Sequence, residues 1–85
     1  MHNWNLVILK KAQKYLKKLN YADQKRIIQD LKLLIQDKNL VDIKLLKGRL
    51  EWRLRVGNFR ILYWEDQENK TYVVTKIKSR GDIYK

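Results

Sequence analysis

The chain has 85 residues, a length that predicts a single domain over residues 1–85. It has no cysteine, and its one histidine (His2) is beside the N-terminus, so we expect no disulfide, no metal and no other cofactor. No apolar run can span a bilayer, so we expect an intracellular protein without a membrane partner. The formal net charge of +11 favours a polyanionic partner, which can be nucleic acid, a ribonucleoprotein or an acidic protein, with a generally basic solvated surface as the alternative.

The N-terminal half predicts a strand followed by two helices. Residues 4–9, WNLVIL, are apolar and β-branched, as is typical of a strand. Residues 10–20 and about 22–37 show apolar positions at helical spacing, and Asn20 is suited to cap the second helix. The residues expected on the buried helix faces are Ala12, Tyr15, Leu16 and Leu19, then Ile27, Ile28, Leu31, Leu34 and Ile35.

In the C-terminal half the apolar period changes to two, which predicts strands. Residues 38–47 are interpreted as a connector. Three strands are then expected over residues 50–56, 59–65 and 71–78, the first two joined by a tight turn at Gly57-Asn58. The order β-α-α-β-β-β predicts an α+β fold, in which an antiparallel sheet carries the N-terminal helical hairpin on one face and leaves the other at least partly open.

The Gly57-Asn58 turn sets the register of the first hairpin and gathers like charges on the open face. Arg55 lies opposite Arg60 in this register, with Arg53 as a diagonal neighbour, and such repulsion destabilises a hairpin by up to roughly 1 kcal/mol. Two explanations remain open. The first is a solvated face whose repulsion is offset by an acid such as Glu51, and the second is an anion site with a phosphate between the guanidinium groups.

Three residues outside this hairpin tip can extend such an anion site. Arg80 can join it if the last strand pairs beside the hairpin, and Trp64 and Tyr84 can offer aromatic faces to stacked bases. Together with the arginines, they favour single-stranded RNA as the ligand.

Residues 46–85, LKGRLEWRLRVGNFRILYWEDQENKTYVVTKIKSRGDIYK, resemble the C-terminal half of the RelE/ParE toxin superfamily, close to RelE. The shared frame is Leu-x-Gly, an aromatic-basic-aliphatic-basic strand, a Gly-x-aromatic-Arg turn and a terminal Arg-x-x-x-Tyr. The N-terminal stretch LKKAQKYLKKLN, followed by a second amphipathic helix, is also similar to the family, so the resemblance covers nearly the whole chain.

The resemblance implies a cytoplasmic toxin of a type II toxin–antitoxin pair, which cleaves messenger RNA in the ribosomal A site. It implies as partners a cognate antitoxin, the ribosome with its messenger RNA and, through the antitoxin complex, operator DNA. The alternatives are a ParE-like gyrase inhibitor and a catalytically inactive homologue that binds nucleic acid or an antitoxin. The catalytic residues carried over by position are Arg53, Arg55, Arg60, Arg80 and Tyr84.

The general base is the open question in this set. Cleavage by 2′-hydroxyl attack needs a base, stabilisation of the charged phosphorane and an acid, and guanidinium groups supply only the second because they keep their protons. The resemblance places lysines at both strand positions and often a histidine where this chain has Ser79. Tyr84 is then the best proton-transfer candidate, Lys76 and Lys78 are alternatives, and orientation with phosphorane stabilisation can instead provide most of the acceleration.

Overall fold

The computed structural model describes residues 4–46, 48 and 50–79 of the chain. The elements in chain order are β1 (Asn5–Ile8), α1 (Lys10–Lys18), α2 (Tyr21–Gln36), a 3₁₀ turn (Lys38–Leu40), β2 (Asp42–Leu45), β3 (Glu51–Val56), β4 (Phe59–Asp66) and β5 (Thr71–Ser79). The predicted α+β class is confirmed. None of the helices in these ranges is long and apolar enough to cross a membrane.

Local chemistry accounts for the start of α2 and favours the end of α1. The side chain of Asn20 accepts a hydrogen bond of 2.9 Å from the backbone N–H of Asp23, so Asn20 caps α2 as expected. Lys17 and Lys18 lie in the last turn of α1, where positive charge is favoured by the helix dipole. The helices follow each other closely and together cover one face of the sheet.

The strands form one sheet in the order β1-β5-β4-β3-β2. The predicted β3–β4 register is confirmed, with Val56 opposite Phe59 and Arg55 opposite Arg60. The sheet also contains a pairing that the sequence did not reveal, because β1 runs parallel to β5. The sheet is therefore mixed, with antiparallel pairing between all its other neighbours.

Strand β2 corrects the interpretation of residues 38–47 as a connector. It pairs antiparallel with β3, placing Asp42 opposite Arg55 and Lys44 opposite Arg53. The strand forms because the outer edge of β3 presents backbone groups that need hydrogen-bond partners. The polar–apolar alternation of its four residues is the shortest that indicates a strand, so the pattern alone does not establish one.

The core lies between the helices and the sheet. Ile27, Leu31 and Leu34 of α2 are fully buried against β3 and β4 residues that include Leu54 and Ile61. Burying each of these side chains stabilises the fold by about 1.5–3 kcal/mol. The helix stripes predicted from the sequence are confirmed at their centre, while residues at their margins, Tyr15, Leu16, Leu19, Ile28 and Ile35, are half-buried.

Candidate functional site

Charged residues of four strands lie side by side on the sheet face that points away from the helices. Side chains alternate between the two faces of a strand, so the residues that flank the core positions Leu54, Ile61 and Ile77 share this opposite face. We call it the arginine face. Its first row across the strands is Asp42, Arg55, Arg60 and Lys78, and its second row is Lys44, Arg53, Leu62 and Lys76.

Asp42 bridges the two arginines of β3. Its Oδ2 lies 3.2 Å from Nε of Arg55, and its Oδ1 lies 3.8 Å from Nη2 of Arg53. The carboxylate thereby offsets the repulsion expected among the arginines. The side chains of Asp42 and Arg55 are each 55% exposed, so solvent screens the ion pair and its contribution to stability is at most about 1 kcal/mol. Arg55 therefore remains accessible to a ligand.

Arg60 has a different environment from Arg55, although the two are directly opposite. It is only 6% exposed, and its Nη1 donates hydrogen bonds to the carbonyl oxygens of Gly57 (3.2 Å) and Phe59 (3.0 Å). The guanidinium group thus ties the hairpin turn to the strand. We infer that Arg60 has a structural role in addition to any contact with an anion.

Two buried N–H groups of the arginine face lack a hydrogen-bond partner within the described ranges: Nε of Arg53 and Nε of Arg60. A buried donor without an acceptor costs free energy, about 1–3 kcal/mol for a polar group in general. An anion that reached either group would remove that cost and gain charge-assisted hydrogen bonds.

Arg26 is a basic residue near the hairpin that sequence reasoning did not assign to the site. Its guanidinium group reaches from α2 to the turn, so close to Gly57 that a Cβ on residue 57 would lie 2.7 Å from Nη2. Gly57 has φ +57°, which also favours glycine. No local pattern reveals this contact, because Arg26 occupies an exposed helix position of the kind that lysines fill elsewhere in α2.

The two lysines proposed as alternative bases both belong to the arginine face by register. Lys76 pairs with Leu62 and Lys78 pairs with Arg60. The Nζ of Lys78, however, lies 5.6 Å from the ring centre of Tyr15, so its ammonium group is directed toward α1. Both also line a groove of about 420 Å³ between α1 and β5. This groove collects the positive charge of Lys11, Lys14, Lys18, Lys76 and Lys78.

Three predicted residues remain, of which the structure places Trp64 but does not describe Arg80 or Tyr84. Trp64 is 39% exposed and lies opposite Glu51 on the arginine face. It is four residues along β4 from Arg60, a separation of about 13 Å. Arg80 and Tyr84 lie outside the described residues, so their assignment stays a prediction.

The tyrosines of the sheet core do not supply proton-transfer groups to this face. Burial, reinforced by the charge of Glu65, raises the pKa of Tyr63 and of Tyr72 above the ordinary value, so both phenols hold their protons at neutral pH. Both rings belong to the core on the helix side. Within the described ranges, no group of three acidic, histidine or cysteine residues could hold a metal ion.

Comparisons with known proteins identify relatives of the whole chain. A protein of Methanocaldococcus jannaschii named "Putative toxin RelE1" is 36% identical over 86 residues, covering 96% of each chain. The toxin fold is also found in the archaeal RelE–RelB complex of Pyrococcus horikoshii (TM-score 0.79, 25% identity, 93% of this chain and 97% of that one). The RelB–RelE antitoxin–toxin complex of Methanococcus jannaschii is similar as well (TM-score 0.74, 29% identity, 92% and 94%). No family model matches the chain.

Proposed function

The chain belongs to the RelE toxin family, and we propose that it acts as a ribosome-dependent endoribonuclease that cleaves messenger RNA in the A site. The observation that carries this proposal is the arginine face, where Arg53, Arg55 and Arg60 gather on adjacent strands. Guanidinium groups match phosphate oxygens in geometry and keep their charge, as stabilisation of a phosphorane requires. The reaction would need no metal, because the 2′-hydroxyl of the RNA itself attacks the phosphate.

Arg80 and Tyr84 complete the proposed catalytic set with Arg53, Arg55 and Arg60. The C-terminal arginine would add charge to the reacting phosphate, and the tyrosine would transfer a proton or stack on a base. Ribosomal positioning of the RNA would contribute much of the rate, since this set contains no side chain with an ordinary pKa near 7.

We further propose a cytoplasmic location and a cognate antitoxin as the main protein partner. The similar archaeal structures are complexes of RelE with RelB, which supports a partner of that kind. The net charge of +11 favours an antitoxin with an acidic binding segment. The toxin–antitoxin complex would also bind its operator DNA through the antitoxin.

Primer extension on a translated message, with purified toxin and ribosomes, tests the nuclease activity. The wild type should cut at codon-defined positions only when ribosomes are present. Arg55→Ala should lower the cleavage rate by about 10²- to 10³-fold, the range found when one transition-state donor is removed. Lys32→Ala, which removes the same charge from an exposed position on α2, should cleave like the wild type.

Two results would contradict the proposal. Cutting that persists at the wild-type rate in Arg55→Ala would show that the arginine face is not the site. Trapped gyrase–DNA cleavage complexes without any messenger cutting would instead indicate the ParE-like function, and a folded protein that neither cuts nor arrests growth would be an inactive homologue.

A further inference from the structure

Asp42 is a carboxylate in the first row of the arginine face, and nothing in the sequence pattern pointed to it. It is directly opposite Arg55, which in turn is opposite Arg60. We propose that Asp42 is the general base that takes the proton of the attacking 2′-hydroxyl. The inference rests on the proposed ribonuclease function and names the group that its mechanism lacks.

The chemistry of the face favours a carboxylate for this role. A guanidinium group has no acceptor and keeps its proton, and a lysine ammonium group has donors only. An aspartate carboxylate is ionised at neutral pH and offers two acceptor oxygens, each with more than one lone pair. It can therefore accept a hydroxyl proton while it remains paired with arginine.

The geometry around Asp42 is that of an oriented base. Arg55 holds one carboxylate oxygen at 3.2 Å and Arg53 is 3.8 Å from the other, so two side chains from the neighbouring strand fix the direction of the carboxylate. More than half of the Asp42 side chain is exposed, which leaves room for the ribose. Because these arginines also face any bound phosphate, the base and the charge-stabilising groups meet at one place.

Glu51, on β3, is a second carboxylate on this face, and its position is less suitable. It lies opposite Trp64, four residues along β3 from Arg55, a separation of about 13 Å. Its Oε2 accepts a hydrogen bond of 3.5 Å from the hydroxyl of Thr75. Glu51 is thus directed toward β5, away from the row that contains Asp42, Arg55 and Arg60.

The proposed step moves one proton and exchanges one bond at phosphorus. The 2′-hydroxyl gives its proton to a carboxylate oxygen of Asp42 as its oxygen forms a bond to the phosphorus. The bond between phosphorus and the 5′-oxygen breaks, and that oxygen leaves with the electron pair and takes a proton from water. The products are a 2′,3′-cyclic phosphate and a 5′-hydroxyl end, and Asp42 returns its proton to solvent.

Asp42→Asn separates base catalysis from charge balance, because the two roles predict opposite effects. Asparagine keeps the size of aspartate and one oxygen for Arg55, but it cannot take a proton. With saturating toxin on ribosomes programmed with a defined message, we expect cleavage at least 100-fold slower than wild type, within the range for loss of a general base. Binding to the programmed ribosome should be unchanged or tighter, because a negative charge beside the phosphate is lost.

Two further variants accompany this measurement. Asp42→Glu keeps the carboxylate and should cleave at least tenfold faster than Asp42→Asn. Glu68→Gln is the matched control, since Glu68 is an exposed residue in the turn at the opposite end of the β4–β5 hairpin from Arg60 and Lys78. It removes the same charge and should cleave within twofold of wild type.

The outcomes distinguish failure of this inference from failure of the function. If the wild type cuts and Asp42→Asn cuts at the same rate or faster, Asp42 only balances charge and the inference is wrong. A rate loss matched by an equal loss of binding or by unfolding, with Asp42→Glu no faster than Asp42→Asn, would also overturn it. If the wild type itself does not cut, the ribonuclease proposal has failed, and this inference fails with it.

Discussion

Arg60→Ala is expected to lower the free energy of unfolding by more than the loss of a surface arginine does. The substitution removes two hydrogen bonds from a charged, buried donor to the carbonyl oxygens of Gly57 and Phe59. Hydrogen bonds to charged groups contribute about 1.5–3 kcal/mol each. Relief of the repulsion with Arg55 returns up to about 1 kcal/mol. The net loss should be about 2–5 kcal/mol.

Urea unfolding followed by circular dichroism measures this loss directly. With an m-value of about 1.5 kcal/mol/M, as small domains show, a loss of 3 kcal/mol lowers the midpoint by about 2 M. Arg55→Ala is the matched comparison, because it removes the same kind of side chain from the opposite, exposed position. Its midpoint should shift by less than that of Arg60→Ala, in line with a loss of at most about 1 kcal/mol.

An unchanged midpoint for Arg60→Ala would refute the assigned structural role of this arginine. Equal shifts for the two variants would do the same, because burial and the two carbonyl contacts would then have no measurable effect. The result also bears on catalysis. Loss of cleavage in Arg60→Ala can reflect a loosened hairpin, so Arg55→Ala gives the cleaner test of phosphate stabilisation.

Three further predictions concern the turn, the core and a helix cap. Gly57→Ala should destabilise the fold by about 1–2 kcal/mol in the same urea assay, because alanine is disfavoured at φ +57° and its Cβ would meet Arg26; an unchanged midpoint would contradict this. Tyr63→Phe should be neutral or stabilise by about 1 kcal/mol at pH 7, since the buried hydroxyl has no hydrogen-bond partner in the described ranges, and a loss above 1 kcal/mol would reveal a partner. Burial raises the pKa of Tyr63 in the folded protein above its unfolded-state pKa near 10. The free energy of unfolding therefore falls as the pH rises above 10, because unfolding lets the phenol ionise. The wild type should lose stability above pH 10, and Tyr63→Phe should lose less. Asn20→Ala should lower the free energy of unfolding by about 1 kcal/mol, because the helix cap is lost, and the urea midpoint should fall. Asn20→Asp keeps the capping oxygen and should have the wild-type midpoint.

The hairpin at Gly57-Asn58 shows how far local reasoning reached into the candidate site. The two-residue turn and the alternation around it predicted that Arg55 faces Arg60, and the pairing is confirmed. What the alternation could not predict is how differently the two are buried. Register depends on the turn and the period, while burial depends on what surrounds each side chain in the folded sheet.

Asp42 shows where local reasoning stopped. Its strand is four residues long and pairs with β3, so its formation depends on an edge that exists only after the sheet has assembled. A carboxylate in an apparent connector gave no reason to associate it with Arg53 and Arg55. The acid that offsets their repulsion was anticipated as a type, with Glu51 as the example, and its identity required the tertiary pairing.

By itself the sequence determined the two amphipathic helices with the Asn20 cap of α2, the antiparallel β3-β4-β5 meander, the register at the Gly57-Asn58 turn and the resemblance that led to the toxin family. These features depend on neighbours within a few residues, where spacing and backbone preference act directly. Only the tertiary structure decided that β1 lies parallel to β5, that β2 exists, that Arg60 is buried and that Asp42 joins the arginines. Each of these depends on contacts between distant segments, which only the assembled sheet brings together.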